Sequence, residues 1–183
     1  MKLLKMSLFL LLALLFTARI FPADKSVSPD KGIRAEIIQE LNDAEEKISS
    51  LGKDIPEAKY PWRPEEGVRS VSEVLMHIAG GNYFFLSFTG LKMPEGMTED
   101  SEKNVTDKKV IMEFITKTYA YARDKIMAMK DKDLEKIVDF FGNKITTRQL
   151  LVKMVGHNQE HLGQLIAYAR MNGVTPMWSK KEN

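Results

Sequence analysis

No cysteine occurs anywhere in the chain. That absence excludes a disulfide framework, a thiolate metal ligand, a cysteine nucleophile and a lipid-attachment cysteine. Histidine is almost as scarce, with only His77, His157 and His161 present. A dominant charge is lacking too, since 27 Lys and Arg face 25 Asp and Glu. Such an interspersed, near-neutral balance lacks the basic footprint of a nucleic-acid binder, and that partner class is set aside. The region after residue 23 carries no internal repeat and no low-complexity tract.

The one long apolar run, Met6 to Ala18, is too short to span a bilayer comfortably. Lys2 and Lys5 precede it, Arg19 interrupts it and Ala23 follows, which is the layout of a secretory signal peptide cleaved after Ala23. Residues 1–23 hold Lys2, Lys5 and Arg19 and no acid, so their removal leaves 24 basic against 25 acidic residues, about −1. The apparent basicity therefore belongs to the leader. We expect export to a bacterial periplasm or exterior, no stable membrane span once the leader is removed, and one domain over residues 24–183.

Four amphipathic helices are expected in that domain. Ile33, Ile37, Ile38, Leu41, Ala44 and Ile48 recur at helical spacing from Lys31 to Leu51, with Gly52 as the expected stop. Pro56, Pro61 and Pro64 make 53–69 a long connection, whose Tyr60 and Trp62 are expected to pack on the bundle. Ser70-Val-Ser-Glu73 is a capping box that starts a second helix through His77 to about Phe88. Gly80 and Gly81 fall inside it at a cost of roughly 1 kcal/mol each relative to Ala, which suggests close packing or ligand space beside His77. A polar crossover at 91–105 leads to a third helix from Lys108 to about Lys130, capped by Thr106 or Asp107. Residues 134–145 form a short hairpin or an extended excursion around Gly142-Asn143. Thr146-Thr-Arg-Gln149 repeats the capping box and opens a fourth helix to about Asn172, stopped by Gly173. The fold class is all-α, a four-helix bundle with long crossover connections.

His157 and His161 stand four residues apart on that fourth helix, so both imidazoles leave nearly the same face. An isolated helical histidine is ordinarily a packing or surface residue. Two at this spacing, with His77 on another amphipathic helix, supply the three imidazoles that a catalytic metal site with an open position requires. Gln164, one turn after His161, can support a ligand from the second layer, and Glu160 beside His161 is a candidate acid or base. Glu73, Asn82, Tyr83 and Tyr168 are weaker candidates, with capping or packing as the favoured account. The stretch His157-Asn-Gln-Glu160-His161 is also a literal inverted zincin protease signature, but its third acidic ligand would have to be Glu182 in the polar tail.

The run Tyr60-Pro-Trp-Arg-Pro-Glu-Glu-Gly-Val-Arg-Ser70-Val-Ser-Glu-Val-Leu-Met-His77, followed by His157-Asn-Gln-Glu-His161-Leu-Gly-Gln164-Leu-Ile-Ala-Tyr168, resembles the DinB-like (damage-inducible) metalloprotein superfamily. The resemblance covers essentially the whole chain after the leader. It implies a four-helix bundle in which His77, His157 and His161 bind a divalent metal, zinc or nickel. It further implies a metal-dependent enzyme of transferase or hydrolase type, since relatives include S-transferases and isomerases that use low-molecular-weight thiols, and a homodimer. A metal-binding bundle without turnover, serving stability, buffering or sensing, is the non-enzymatic expectation.

Overall fold

The computed structural model describes residues 31–93 and 100–180. The expected leader, the linker before Lys31 and Glu182 lie outside the described residues. The elements are α1 (Ile33–Asp54), α2 (Val71–Ser87), α3 (Ser101–Asn104), α4 (Lys108–Ala128), α5 (Asp131–Leu134), β1 (Ile137–Phe140), β2 (Asn143–Thr146) and α6 (Thr147–Met171). The four long helices are those expected, and α3, α5 and the hairpin occupy their connections.

Local chemistry explains most boundaries. Both capping boxes form: the Ser70 hydroxyl accepts from Glu73 N–H and the Glu73 carboxylate from Ser70 N–H, with the same exchange between Thr146 and Gln149. Asp107 caps α4 by accepting from Val110 N–H at 2.9 Å. The end of α1 differs from expectation. Gly52 is buried inside the helix, where an added Cβ would lie 2.6 Å from Met112 Sδ. Its carbonyl accepts from the buried Tyr60 hydroxyl at 2.7 Å. The helix stops instead at Ile55, held extended (ψ 122°) by the following Pro56. Gly52 is therefore a close-packing residue rather than a terminator.

The excursion after α5 is a hairpin. Phe140 pairs with Asn143, so the two turn residues are Phe141 and Gly142, with φ of 53° and 81°. Two left-handed residues make the turn whose twist suits a hairpin, one residue earlier than Gly142-Asn143.

Side-chain pairs give the helix directions. Arg34 donates to the Met129 carbonyl, and Lys108 to the Lys53 and Ile55 carbonyls at 2.8 and 2.7 Å, so α1 and α4 are antiparallel. Asn82 meets Thr118, and Tyr83 meets Tyr121 with centroids 4.9 Å apart, while Leu75 and Met112 converge on Gly52. These levels rise together, so α2 and α4 are parallel. Asn82 meets Asn158, and Arg69 meets Tyr168, which makes α2 and α6 antiparallel. Helices α1 and α2 each pack against both α4 and α6, so α1 and α2 face one another across the bundle diagonal. A parallel neighbour pair needs a connection that returns along the bundle, which is why a long crossover separates α2 from α4.

Leu41, Ile48, Leu75, Ile78, Ile111, Ile115, Leu151 and Leu165 are fully buried, each worth about 1.5–3 kcal/mol of transfer free energy. A polar network crosses this core. The Tyr119 hydroxyl donates to Asn158 Oδ1, and Asn158 Nδ2 donates to Asn82 Oδ1 at 3.1 Å and to the Met154 carbonyl at 2.8 Å. It pins α2, α4 and α6 at one depth, the level at which the histidines meet. No helix among the described residues is long and apolar enough to cross a membrane.

Candidate metal centre

Helices α2 and α6 bring the three histidines together. Their ring centroids are 4.6–4.9 Å apart, and one nitrogen from each lies within 4.8 Å of the others. His157 Nε2 stands 3.0 Å from His77 Nε2, close to the ~3.3 Å edge expected between imidazoles around a small tetrahedral ion.

Two of the rings have their second nitrogen anchored, and the hydrogen-bond chemistry assigns their tautomers. His77 Nδ1 is 2.7 Å from Glu102 Oε2. An ionised carboxylate only accepts, so Nδ1 carries the proton and Nε2 presents a lone pair. On the other side the assignment starts at the Arg69 carbonyl, which accepts from the Tyr168 hydroxyl at 3.1 Å. That hydroxyl accepts from Gln164 Nε2 at 3.0 Å, which turns Gln164 Oε1 to within 2.8 Å of His161 Nδ1. His161 therefore donates from Nδ1, which in the neutral ring leaves the lone pair on Nε2. A histidine ligand fixed through its second nitrogen by a carboxylate or amide is the usual support of a metal site.

His157 has a different seat. Its Nδ1 is buried without a hydrogen-bond partner among the described residues. Its ring lies against the backbone of α2 at Gly81, where an added Cβ would approach Cε1 to 2.5 Å and Nδ1 to 2.9 Å. Of the two glycines singled out beside His77, Gly81 makes room for the opposing histidine. Gly80 is half-buried.

Electrostatics favours the neutral, ligating form of His157 and His77. Burial, the neighbouring His161 and His77, and the Arg69 charge lower His157 to about 4. Burial also lowers His77, and Arg69 acts in the same direction against the opposing pull of Glu102. Burial alone would raise the Glu102 carboxyl, but hydrogen bonds from Arg69 and His77 outweigh it and hold Glu102 below the ordinary range. A donor set of three converging imidazoles fits a borderline divalent ion. Among the described residues no fourth His, Asp or Glu joins the cluster.

Glu102 is the residue that sequence reasoning missed. It lies on α3, inside the stretch expected to be a polar crossover, and bridges His77 to Arg69, whose Nε donates to Oε1 at 2.6 Å. Gln164 stands where expected, on His161. Glu160 is exposed on α6, and the third imidazole comes from α2 rather than from an acid C-terminal to His161. Glu73 is occupied by the capping box and an ion pair with Arg63 at 3.2 Å. Asn82 belongs to the core network, Tyr83 is buried against Tyr121, and Trp62 packs edge-on against Tyr168 at 5.3 Å. Beside the triad opens a cleft of about 550 Å³ lined by Arg63, Arg69, Glu73, Glu102, Lys103 and Gln164.

Comparison with known proteins agrees with this architecture. YjoA of Bacillus subtilis strain 168, an uncharacterised protein, is 26% identical over 130 residues, 70% of this chain and 84% of its own. A DinB-like protein of Bacillus cereus ATCC 10987 superposes with a TM-score of 0.67 at 26% identity, covering 78% of this chain and 94% of that one. YfiT of Bacillus subtilis, described as a probable metal-dependent hydrolase with an unusual four-helix bundle topology, shares the fold at 14% identity. Its TM-score is 0.63, with 78% of this chain and 89% of that one covered. The family model of the DinB superfamily matches residues 40–165, and the chain belongs to that superfamily.

Proposed function

We propose that the protein is an exported metal-dependent enzyme of the transferase or hydrolase type, in which His77, His157 and His161 hold a divalent ion, zinc or nickel. The observation that carries this reading is the convergence of three imidazoles, two of them oriented through Nδ1, with no fourth protein ligand among the described residues. A closed structural site takes four protein ligands, whereas three leave a position for a reactant. Bound there, a divalent ion acts as a Lewis acid and lowers the pKa of a water or thiol it holds.

The chain's own residues supply the rest. Glu102 holds the His77 ring and offsets positive charge, Gln164 holds the His161 ring, and Gly81 admits His157. The adjoining cleft is bordered by two of these supports, Glu102 and Gln164. The description of YfiT as a probable metal-dependent hydrolase supports the hydrolytic branch, and the Lys2, Lys5 and Met6–Ala18 leader pattern supports export. Homodimer formation accompanies the reading and is checked by light scattering.

The test is elemental mass spectrometry of the purified protein beside His77→Ala and His157→Ala variants of matched circular dichroism. Near-stoichiometric zinc or nickel in the wild type, lost from both variants, is the expected result. A wild type that holds no metal after reconstitution would sink the proposal.

A further inference from the structure

The cleft beside the histidines is unevenly equipped, and the imbalance identifies what it receives. Its two carboxylates are both engaged. Glu73 accepts from the backbone N–H of Ser70 and pairs with Arg63, and Glu102 accepts from Arg69 and His77. Its cations are not all used. Arg63 donates to the Val68 carbonyl and to Glu73. Arg69 spends only Nε on Glu102, and its two Nη groups have no hydrogen-bond partner among the described residues, with its side chain 40% exposed. The exposed side chain of Lys103, the residue after Glu102, likewise has no partner for its ammonium group among the described residues.

A guanidinium whose Nε is already fixed by a carboxylate is a pre-oriented fork. Its remaining Nη edge matches a planar carboxylate or two oxygens of a phosphate, and being held in place it loses little entropy on binding. Arg69 also stands within electrostatic range of the triad, since its charge lowers both His77 and His157. Its backbone carbonyl anchors the Tyr168–Gln164–His161 chain, and its side chain holds Glu102 and through it His77. One residue therefore joins the cleft to two of the three imidazoles.

We propose that this cleft is an oxyanion subsite, in which the Arg69 Nη edge and Lys103 bind a carboxylate or phosphate group of the substrate and so place its reacting end at the triad. The subsite rests on the proposed metal-dependent reading for its catalytic meaning, but its binding is independent of the ion.

Isothermal titration calorimetry of the full chain, metal-free and zinc-loaded, separates the two. Succinate and inorganic phosphate are the probes, succinamide is the uncharged control, and the variants are Arg69→Gln, Lys103→Met and the remote Lys117→Met. We expect charged probes to bind both forms of the wild type, at least tenfold more weakly in Arg69→Gln, several-fold more weakly in Lys103→Met, and unchanged in Lys117→Met. Succinate bound in preference to phosphate assigns a carboxylate substrate, and the reverse a phosphorylated one. Lys103→Met leaves the Arg69–Glu102–His77 contacts intact, so its effect is read even if Arg69→Gln loosens the site. Equal binding of succinamide, equal affinity in Lys103→Met and Lys117→Met, or binding only to the zinc-loaded form overturns the subsite. Anion binding to a protein that retains no zinc would instead overturn the metal reading alone.

Discussion

Removing the Glu102 carboxylate tests the site most sharply, because Glu102 touches a proposed ligand without being one. In Glu102→Ala, His77 Nδ1 loses its 2.7 Å acceptor and Arg69 Nε its 2.6 Å partner. Loss of such an outer partner typically weakens metal affinity 10–100-fold, or about 1.4–2.7 kcal/mol. The fold should barely notice. The Arg69–Glu102 pair is partly exposed, with side chains 40% and 25% accessible, and such pairs contribute roughly 0–1 kcal/mol. Glu102→Gln retains a carbonyl acceptor for Nδ1–H but not the charge, so its loss should fall between wild type and Glu102→Ala. In both variants His77 should titrate lower still, because the carboxylate that draws its pKa upward is gone while burial continues to depress it. Competition against a chromophoric zinc indicator gives the affinities, and histidine resonances followed by NMR give the titration. Zinc affinity in Glu102→Ala within twofold of wild type would refute the carboxylate–histidine–metal arrangement.

Other consequences follow from the same contacts. In the metal-free protein His157 is lowered to about 4 from an ordinary 6.5, so the unfolded chain binds more protons between those values and stability falls as pH drops through that window. The loss should be on the order of 1–2 kcal/mol after solvent screening; urea unfolding at pH 7.5, 5.5 and 4 measures it, and an equal slope in His157→Ala would contradict it. Gly81→Ala places a methyl 2.5 Å from His157 Cε1 and should cost at least tenfold in zinc affinity by indicator competition. Its thermal stability should stay within about 1 kcal/mol, because the helix gains about that much from Ala. Tyr119→Phe deprives the buried Asn158 Oδ1 of one donor while Asn158 keeps its bonds to Asn82 and Met154. It should lower the unfolding free energy by about 1–3 kcal/mol, read by urea denaturation.

What could be read from the chain alone was what neighbours in sequence decide. The Ser70/Glu73 and Thr146/Gln149 boxes set helix starts because donor and acceptor lie three residues apart, and His157 and His161 share a face because a helix turns in 3.6 residues. The apolar stripe of α1 placed Ile37, Leu41, Ala44 and Ile48 in the core for the same reason. Gly52 was misread because its local meaning, a helix stop, is overridden by Met112 packing over it from α4. Gly81 was noticed, but only the antiparallel approach of α6 reveals that it seats His157. Glu102 was invisible: its tie to His77 spans 25 residues, and the Tyr168 tie to Arg69 spans 99. Contacts at such separations depend on the path of the crossover that a parallel α2–α4 pair imposes. Local hydrogen bonding therefore determined the helices and nominated the ligands, while the packing of those helices decided which partners orient them and what faces the cleft.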